Sequence, residues 1–286
     1  MPKRTQIKTF FESLLKLTRF WNLLIIGLAQ YFTAAYLIGL KSDIFFDLKF
    51  FLLSTSTILI AAAGYIINDY YDIKIDLINK PKRVVIGKSI PRRFAILFHV
   101  ALSGLGIFIG LMIALRIAAL NIISVFFLWL YSNNLKRLPF VGNFTVAFLT
   151  GLSIYMVNVY FKTENFLVII YASFSFFMTL VREIIKDMED LKGDNTFGCR
   201  TLPIIWGIRK TKVLIYGVLF VFSTTVLLLN QFYVKLPIYY FIIFLFFPLT
   251  WLLFRLVRAD TTKDFTWLSN FCKVIMLLGI LSMTFV

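Results

Sequence analysis

The sequence has few charged residues for its length, and this absence excludes most soluble folds. Only 15% of its 286 residues are charged, whereas 60% are hydrophobic. A soluble domain of this size carries nearer a quarter charged residues. Mostly apolar segments of about 18 residues or more recur along the chain, so we expect a polytopic membrane protein. These segments are too long for barrel strands, and backbone polar groups in lipid must be satisfied internally, so the predicted fold is all-α.

Cysteine and histidine are also scarce, and this excludes two further kinds of site. The two cysteines, Cys199 and Cys272, lie far apart and form neither a disulfide framework nor a metal-binding motif. The single histidine, His99, lies in an apolar segment and is expected to be packed there rather than to bind a metal. Any metal site would therefore depend on oxygen ligands.

Hydropathy predicts a helical bundle of about nine transmembrane spans. They cover approximately residues 20–40, 49–71, 94–114, 117–131, 143–161, 165–185, 212–230, 236–257 and 267–285. We interpret residues 1–286 as a single transmembrane domain, because the longest polar joints, about 73–93 and 186–211, are too short for a soluble one. Residues 1–18 are basic and amphipathic, which predicts an interfacial helix on an anionic leaflet; a solvated leader is the alternative.

Basic residues are distributed unevenly between the joints that connect these spans. If the N-terminus is cytoplasmic, 24 of the 30 Lys and Arg residues fall on the cytoplasmic side and five fall outside. This asymmetry predicts a multi-pass protein of the cell (inner) membrane, with a cytoplasmic N-terminus and an external C-terminus. It also accounts for the formal net charge of +16, so we expect no nucleic-acid partner.

Two groups of aspartates with equal spacing are the most informative feature of the chain. The first acidic group is Asp69, Asp72 and Asp76, and the second acidic group is Asp187, Asp190 and Asp194. Positions i, i+3 and i+7 fall within an arc of roughly 60° on a helix. Each group ends an apolar run, and an even number of spans separates them, so both are expected on the cytoplasmic side. One group alone is consistent with a solvated helix end, but two indicate a duplicated cation site.

The chemistry of these ligands favours magnesium and a phosphorylated substrate. Carboxylates without neighbouring His or Cys suit Mg²⁺, which is typically held by a few carboxylates plus a substrate phosphate. Four cationic side chains are placed to offset the charge of a diphosphate: Arg19, Arg83, Lys136 and Arg200. Arg19 has an alternative role, in which it reaches the membrane surface. A hydrocarbon tail would fit a bundle rich in phenylalanine, whose ring faces could stabilise an allylic carbocation.

The motif Asn68-Asp69-x-x-Asp72-x-x-x-Asp76 resembles the first Asp-rich motif of the UbiA superfamily of intramembrane prenyltransferases. The second acidic group resembles the second motif of that superfamily. Arg19 and Asn22 are similar to its first-helix Arg/Asn pair, and Tyr131 with Lys136 is similar to its Tyr/Lys loop. The resemblance covers essentially the whole chain, and it implies Mg²⁺-dependent transfer of a prenyl group with diphosphate leaving.

The resemblance also implies a role for each site residue. The catalytic carboxylates would be Asp69, Asp72, Asp187 and Asp190, and the Mg²⁺ ligands would be these four with Asp76 and Asp194. The substrate-binding residues would be Arg19, Asn22, Asn68, Lys80, Arg83, Tyr131, Lys136 and Arg200.

The segments 182–194 and 198–204 are most similar to superfamily members that alkylate geranylgeranylglyceryl phosphate. The expected partners are therefore geranylgeranyl diphosphate and this lipophilic acceptor, or a similar one. One alternative is an aromatic acceptor of quinone biosynthesis, such as 4-hydroxybenzoate or dihydroxynaphthoate. A second alternative is a cation-coupled transporter, although transporter sites usually lie near the middle of the membrane.

Overall fold

The computed structural model describes residues 12–41 and 43–286 and confirms the predicted all-α membrane fold. Within those residues, nine helices are long and apolar enough to cross a membrane. The helices are α1 (Phe20–Phe32), α2 (Leu48–Asn79), α3 (Arg92–Ile113), α4 (Leu115–Asn133), α5 (Val141–Phe161), α6 (Phe166–Glu189), α7 (Leu191–Thr196), α8 (Leu202–Leu229), α9 (Ile238–Arg258) and α10 (Thr262–Ser282). Helix α1 continues as a π-helical segment to Leu37, which makes its span Phe20–Leu37 long enough, so only α7 is not one of the nine. Most of the predicted interfacial segment, residues 1–18, lies outside the described residues.

Helix α2 is longer than hydropathy predicts, because its last two turns remain packed. Asp47 caps the first turn by accepting hydrogen bonds from two backbone N–H groups. The helix ends at Asn79 rather than near residue 71, and Ile73 and Ile75 in the added turns are buried. The whole first acidic group therefore lies on one continuous helix.

Helix α8 begins at Leu202, in a segment that the sequence analysis assigned to a loop. Pro203 is compatible with this start, because a proline in the first helical turn sacrifices no intrahelical hydrogen bond. Gly207 has a φ of 78°, which interrupts the regular helix a few residues later. Residues 202–211 thus belong to a helix that is interrupted at Gly207, rather than to an irregular connection between two helices.

The contacts between Cα atoms divide the chain into two compact units. The first unit comprises Met1–Leu28, described from residue 12 onward, and Phe45–Leu135. The second unit comprises Ala29–Ile44 and Lys136–Val286. Each unit contains one acidic group, and each is described separately below.

The first unit depends on close packing of α3 against α2 and α4. Two small residues on α3, Gly106 and Gly110, form the small-xxx-small pattern typical of membrane helix contacts. A Cβ atom at Gly106 would lie 2.7 Å from the side chain of Ile60. The amide of Asn121 on α4 fills the space beside Gly110 and donates a hydrogen bond to the carbonyl of Gly106 at 3.0 Å.

The second unit packs α6 against α5, α8 and α10 around a large apolar core. Phe222 and Leu252, from α8 and α9, are fully buried in this core. A buried polar cluster also ties the helices together: the hydroxyls of Tyr171 and Tyr240 share a hydrogen bond, and Tyr240 donates to Ser282 Oγ at 2.7 Å. Three helices are thereby joined at the end of α6 that lies away from its acidic group.

Candidate functional site

The first acidic group lies on the C-terminal turns of α2, where the sequence predicts it. Asp69, Asp72 and Asp76 are all partly exposed, and their spacing places them on one side of this continuous helix. Three carboxylates on one helix side repel one another unless cations are near. A cationic partner is therefore expected for this surface, and the first unit supplies one.

Arg19 forms an ion pair with Asp69. Its Nη2 atom lies 2.8 Å from Asp69 Oδ1, and the two side chains are only 17% and 12% exposed. The guanidinium also lies over the ring of Tyr65, 4.6 Å from its centroid. Arg19 immediately precedes α1 and has a φ of 53°, so the chain turns sharply there before the helix begins. Arg19 is therefore placed on the acidic group rather than extended toward the membrane surface.

Tyr65 connects the two residues predicted from the first helix. Asn22 donates a hydrogen bond to the Tyr65 hydroxyl at 3.4 Å, and Tyr65 itself lies one turn before Asp69 on α2. Beside Asp69, the Oδ1 atom of Asn68 is buried without a hydrogen-bond partner among the described residues. A bound water, ion or ligand would satisfy this acceptor.

The other predicted residues of the first unit follow the acidic group along the chain. The backbone N–H of Lys80 donates to the carbonyl of Asp76 at 2.8 Å, and that of Arg83 donates to the carbonyl of Lys80 at 2.8 Å. These two turns hold Lys80 and Arg83 directly after the end of α2. Tyr131 lies in the last turn of α4 and is half-buried.

The second acidic group differs from the first, because it does not lie on one helix. Helix α6 ends at Glu189, and Asp190 has φ and ψ of −93° and 6°. Asp194 belongs to the short helix α7. Met188 is the last buried apolar residue of α6, so the polar residues that follow provide no buried face to extend it. The equal spacing in the sequence therefore produces two different local geometries.

Asp187 is held by a residue that the sequence analysis did not identify. The Nδ2 atom of Asn143 on α5 donates to Asp187 Oδ2 at 2.9 Å, and Asn143 is buried. Phe140, with a φ of 65°, turns the chain into α5 just before this residue. Asn143 thus supports the first aspartate of the second group, as Arg19 supports the first aspartate of the first group.

Lys136 and Arg200 lie in neighbouring backbone segments of the second unit. Lys136 is in the short 3₁₀ turn Leu135–Arg137, and the backbone N–H of Arg200 donates to the carbonyl of Arg137 at 2.8 Å. The segment before Arg200 is fixed as well, because the N–H of Cys199 donates to the carbonyl of Asp194 at 3.0 Å. These bonds tie the two predicted cations to the end of the second acidic group.

The acidic groups fit a metal that arrives with a phosphorylated substrate better than a bare ion. Among residues 12–41 and 43–286, no three His, Cys, Asp or Glu side chains are close enough to form a ready-made metal site. Mg²⁺ usually keeps several waters and takes only one or two carboxylates besides substrate phosphates, so a dense cluster is not required. The supporting contacts of Asp69 and Asp187 each use one carboxylate oxygen, which leaves the second oxygen as a potential ligand.

Replacing Asn143 with leucine is expected to lower turnover by about 10- to 100-fold, the usual cost of removing a residue that orients a metal ligand. The leucine keeps the volume but leaves Asp187 without its amide donor. Turnover and the apparent Mg²⁺ affinity would be measured in the same detergent. Thr150→Val on the same helix is the control, because among the described residues the Thr150 hydroxyl bonds only to the carbonyl of Val146 in its own helix. Equal turnover of the two variants would contradict a supporting role for Asn143.

Comparison with known proteins identifies the family. The model of the UbiA prenyltransferase family matches residues 28–277. The chain belongs to the UbiA prenyltransferase family. As a member of this UbiA family it is a prenyltransferase and a multi-pass membrane protein. The matched range begins after Arg19 and Asn22, so these two residues are supported by their contacts with α2 rather than by the family match.

Named relatives of this UbiA family member extend over most of its length. A protein of Saccharolobus solfataricus named digeranylgeranylglyceryl phosphate synthase is 30% identical over 278 residues, which cover 95% of each chain. A protein of the same name from Thermococcus sibiricus is 34% identical over 222 residues, which cover 77% of this chain and 76% of that one.

Solved structures share the fold. A structure of digeranylgeranylglyceryl phosphate synthase superposes with a TM-score of 0.72 at 27% identity, covering 97% of this chain and 98% of the other. A UbiA homolog from Archaeoglobus fulgidus bound to GPP and Mg²⁺ superposes with a TM-score of 0.65 at 16% identity, covering 96% and 100%. This second likeness concerns the fold alone.

Proposed function

We propose that the protein transfers a geranylgeranyl group from geranylgeranyl diphosphate to the free hydroxyl of geranylgeranylglyceryl phosphate. The observation that carries this proposal is the similarity to a digeranylgeranylglyceryl phosphate synthase over 95% of both chains. The hydroxyl oxygen of the acceptor bonds to C1 of the prenyl chain, the bond from C1 to the diphosphate oxygen breaks, and the hydroxyl proton is released.

Magnesium is the proposed metal, since the acidic groups contain only hard oxygen ligands and a homolog of the same fold was solved with GPP and Mg²⁺. Each of the two acidic groups would hold Mg²⁺ with its own three aspartates. When bound, Mg²⁺ neutralises charge on the departing diphosphate. Asn68, Arg83, Lys136 and Arg200 would donate hydrogen bonds or charge to the diphosphate oxygens, and Arg19 would hold the Asp69 carboxylate in position through its ion pair.

The proposed orientation places the N-terminus and both acidic groups on the cytoplasmic side of the cell (inner) membrane, with the C-terminus outside. The support is the excess of Lys and Arg in the joints on that side. Anionic water-soluble diphosphate and Mg²⁺ would then be supplied and released in the cytoplasm, while the prenyl chains remain in the apolar bundle.

The test is product identification in purified membranes with Mg²⁺ and geranylgeranyl diphosphate. Geranylgeranylglyceryl phosphate, 4-hydroxybenzoate and dihydroxynaphthoate would be offered together, and products would be identified by mass spectrometry. We expect an ether product from the glyceryl phosphate and stoichiometric release of diphosphate. A prenylated aromatic acid as the main product would contradict the proposed acceptor. Cation uptake into liposomes without diphosphate release would contradict the transfer reaction altogether.

A further inference from the structure

A cluster of charged side chains lies on α6, in the turn that directly precedes the second acidic group. Arg182 donates from Nη1 to Glu183 Oε1, and Lys186 Nζ lies 3.6 Å from Glu183 Oε2. The three side chains are only 16%, 10% and 21% exposed. One carboxylate, that of Glu183, thus contacts two cations in a mostly buried place.

Two hydrogen-bond donors of this cluster are buried without a partner among the described residues. Arg182 Nε and the hydroxyl of Thr179 make no hydrogen bond with any residue that the structure describes. A buried donor without an acceptor destabilises the protein, which makes an incoming acceptor favourable at this place. The hydrogen bond to Glu183 uses one N–H group of the Arg182 guanidinium, which has five N–H donors.

Thr179, Arg182 and Lys186 form one row on the helix. Their spacing of i, i+3 and i+7 places them within an arc of roughly 60°, and we call these three residues the α6 donor row. Asp187 follows the row directly in sequence but is engaged by Asn143 of α5. The row contains none of the carboxylates proposed to hold the metal, but it ends beside them: the backbone N–H of Asp190 donates to the carbonyl of Lys186 at 2.8 Å.

The chemistry of the row matches a phosphate monoester. Arginine, lysine and hydroxyl donors are the groups that bind phosphate oxygens, and arginine does so with geometric specificity. An anion beside the second acidic group would be repelled by its aspartates unless it had cations of its own. We propose that the α6 donor row binds the phosphate of the lipid acceptor and so selects a phosphorylated acceptor. This inference rests on the proposed function, which supplies an acceptor with a phosphate head.

The first test compares acceptors with and without phosphate. Arg182→Gln is expected to raise the KM for geranylgeranylglyceryl phosphate by about 10- to 100-fold, the loss typical of a charge-assisted hydrogen bond. The KM for geranylgeranyl diphosphate should change less than about twofold. The preference of the enzyme for geranylgeranylglyceryl phosphate over geranylgeranylglycerol should largely disappear. Arg209→Gln, an exposed arginine of the same unit, is the matched control and should leave all three values unchanged.

A milder variant guards against misfolding. Thr179→Val keeps the shape of the side chain and removes only its hydroxyl, so it should raise the KM for the phosphorylated acceptor by about 3- to 10-fold. If either variant instead raises the KM for geranylgeranyl diphosphate to the same extent, the row serves the donor and the inference is wrong. A fall in kcat with both KM values unchanged would also contradict it.

A binding measurement separates this inference from the proposed function. Thermal unfolding of the protein in detergent would be followed with increasing geranylgeranylglyceryl phosphate, without Mg²⁺ or prenyl donor. We expect stabilisation of the wild type and of Arg209→Gln but not of Arg182→Gln. If the wild type binds this lipid in that manner but transfers prenyl groups only to aromatic acids, the proposed function fails while the phosphate site stands. If the lipid stabilises Arg182→Gln as much as the wild type, the phosphate site fails whatever the reaction is.

Discussion

Replacing Asp72 with asparagine is expected to reduce prenyl transfer by at least about 1000-fold, which corresponds to roughly 4 kcal/mol of lost transition-state stabilisation. Asp72 lies one turn beyond Asp69 on the same side of α2. Asparagine keeps the size and most hydrogen-bonding capacity of the side chain but removes the charge that a divalent cation requires. The loss should therefore be chemical rather than structural, and the thermal unfolding midpoint should stay close to that of the wild type.

The measurement is turnover over a wide range of Mg²⁺ concentrations in the same detergent. Asp43→Asn is the matched control, because Asp43 is an exposed aspartate that belongs to neither acidic group. The same loss is expected for Asp190→Asn, since Asp190 stands at the corresponding position of the second acidic group. If either variant keeps turnover within tenfold of the wild type, the proposed role of its acidic group in the reaction is wrong. The Asp43→Asn control should keep the turnover of the wild type.

Hydropathy was sufficient to predict the fold, but not the ends of the helices. The predicted spans correspond to the nine helices found in the described part of the chain, because each is long enough to satisfy its backbone in lipid. The end of α2 was missed because buried Ile73 and Ile75 alternate with charged residues, and the start of α8 was missed because Gly207 and the basic residues after it interrupt the apolar run. An average over a window cannot separate such a helix from a polar joint.

The acidic groups illustrate what spacing can and cannot establish. Equal spacing of the aspartates correctly indicated a continuous helix for the first group, where buried isoleucines extend α2. It gave no indication that α6 ends at Glu189, since the break depends on where the buried face stops. The number of residues between two side chains therefore fixes their direction only while both remain on the same helix.

The supporting residues were harder to predict than the aspartates they support. Arg19 precedes Asp69 by 50 residues and Asn143 precedes Asp187 by 44, so each contact depends on the packing of two helices. Asn143 lies 121 residues after Asn22, whereas corresponding members of the two acidic groups are 118 residues apart. The offset of 118 from Asn22 reaches Phe140, so the repeat of the aspartate spacing did not indicate Asn143.

The second large effect is expected at Arg19, where Arg19→Gln should lower turnover by about 100-fold. Removing one partner of a mostly buried ion pair leaves the other charge uncompensated, at a cost of about 3–5 kcal/mol. Part of this cost should appear as a lower unfolding midpoint and part as a weaker apparent Mg²⁺ affinity. Lys16→Gln is the control, because it removes the same charge from an exposed position three residues away.

A double-mutant cycle distinguishes support of Asp69 from direct binding of the diphosphate. If Arg19 acts only by holding Asp69, then Arg19→Gln should cause little further loss of turnover in an Asp69→Asn background, since the carboxylate that Arg19 supports has already been replaced by a neutral amide. If Arg19 also contacts the diphosphate, the double variant should show an additional rise in the KM for the prenyl donor. Fully additive losses in turnover, with no change in that KM, would contradict both roles. The left-handed φ of Arg19 does not complicate this comparison, because glutamine has a Cβ atom as well and meets the same backbone strain.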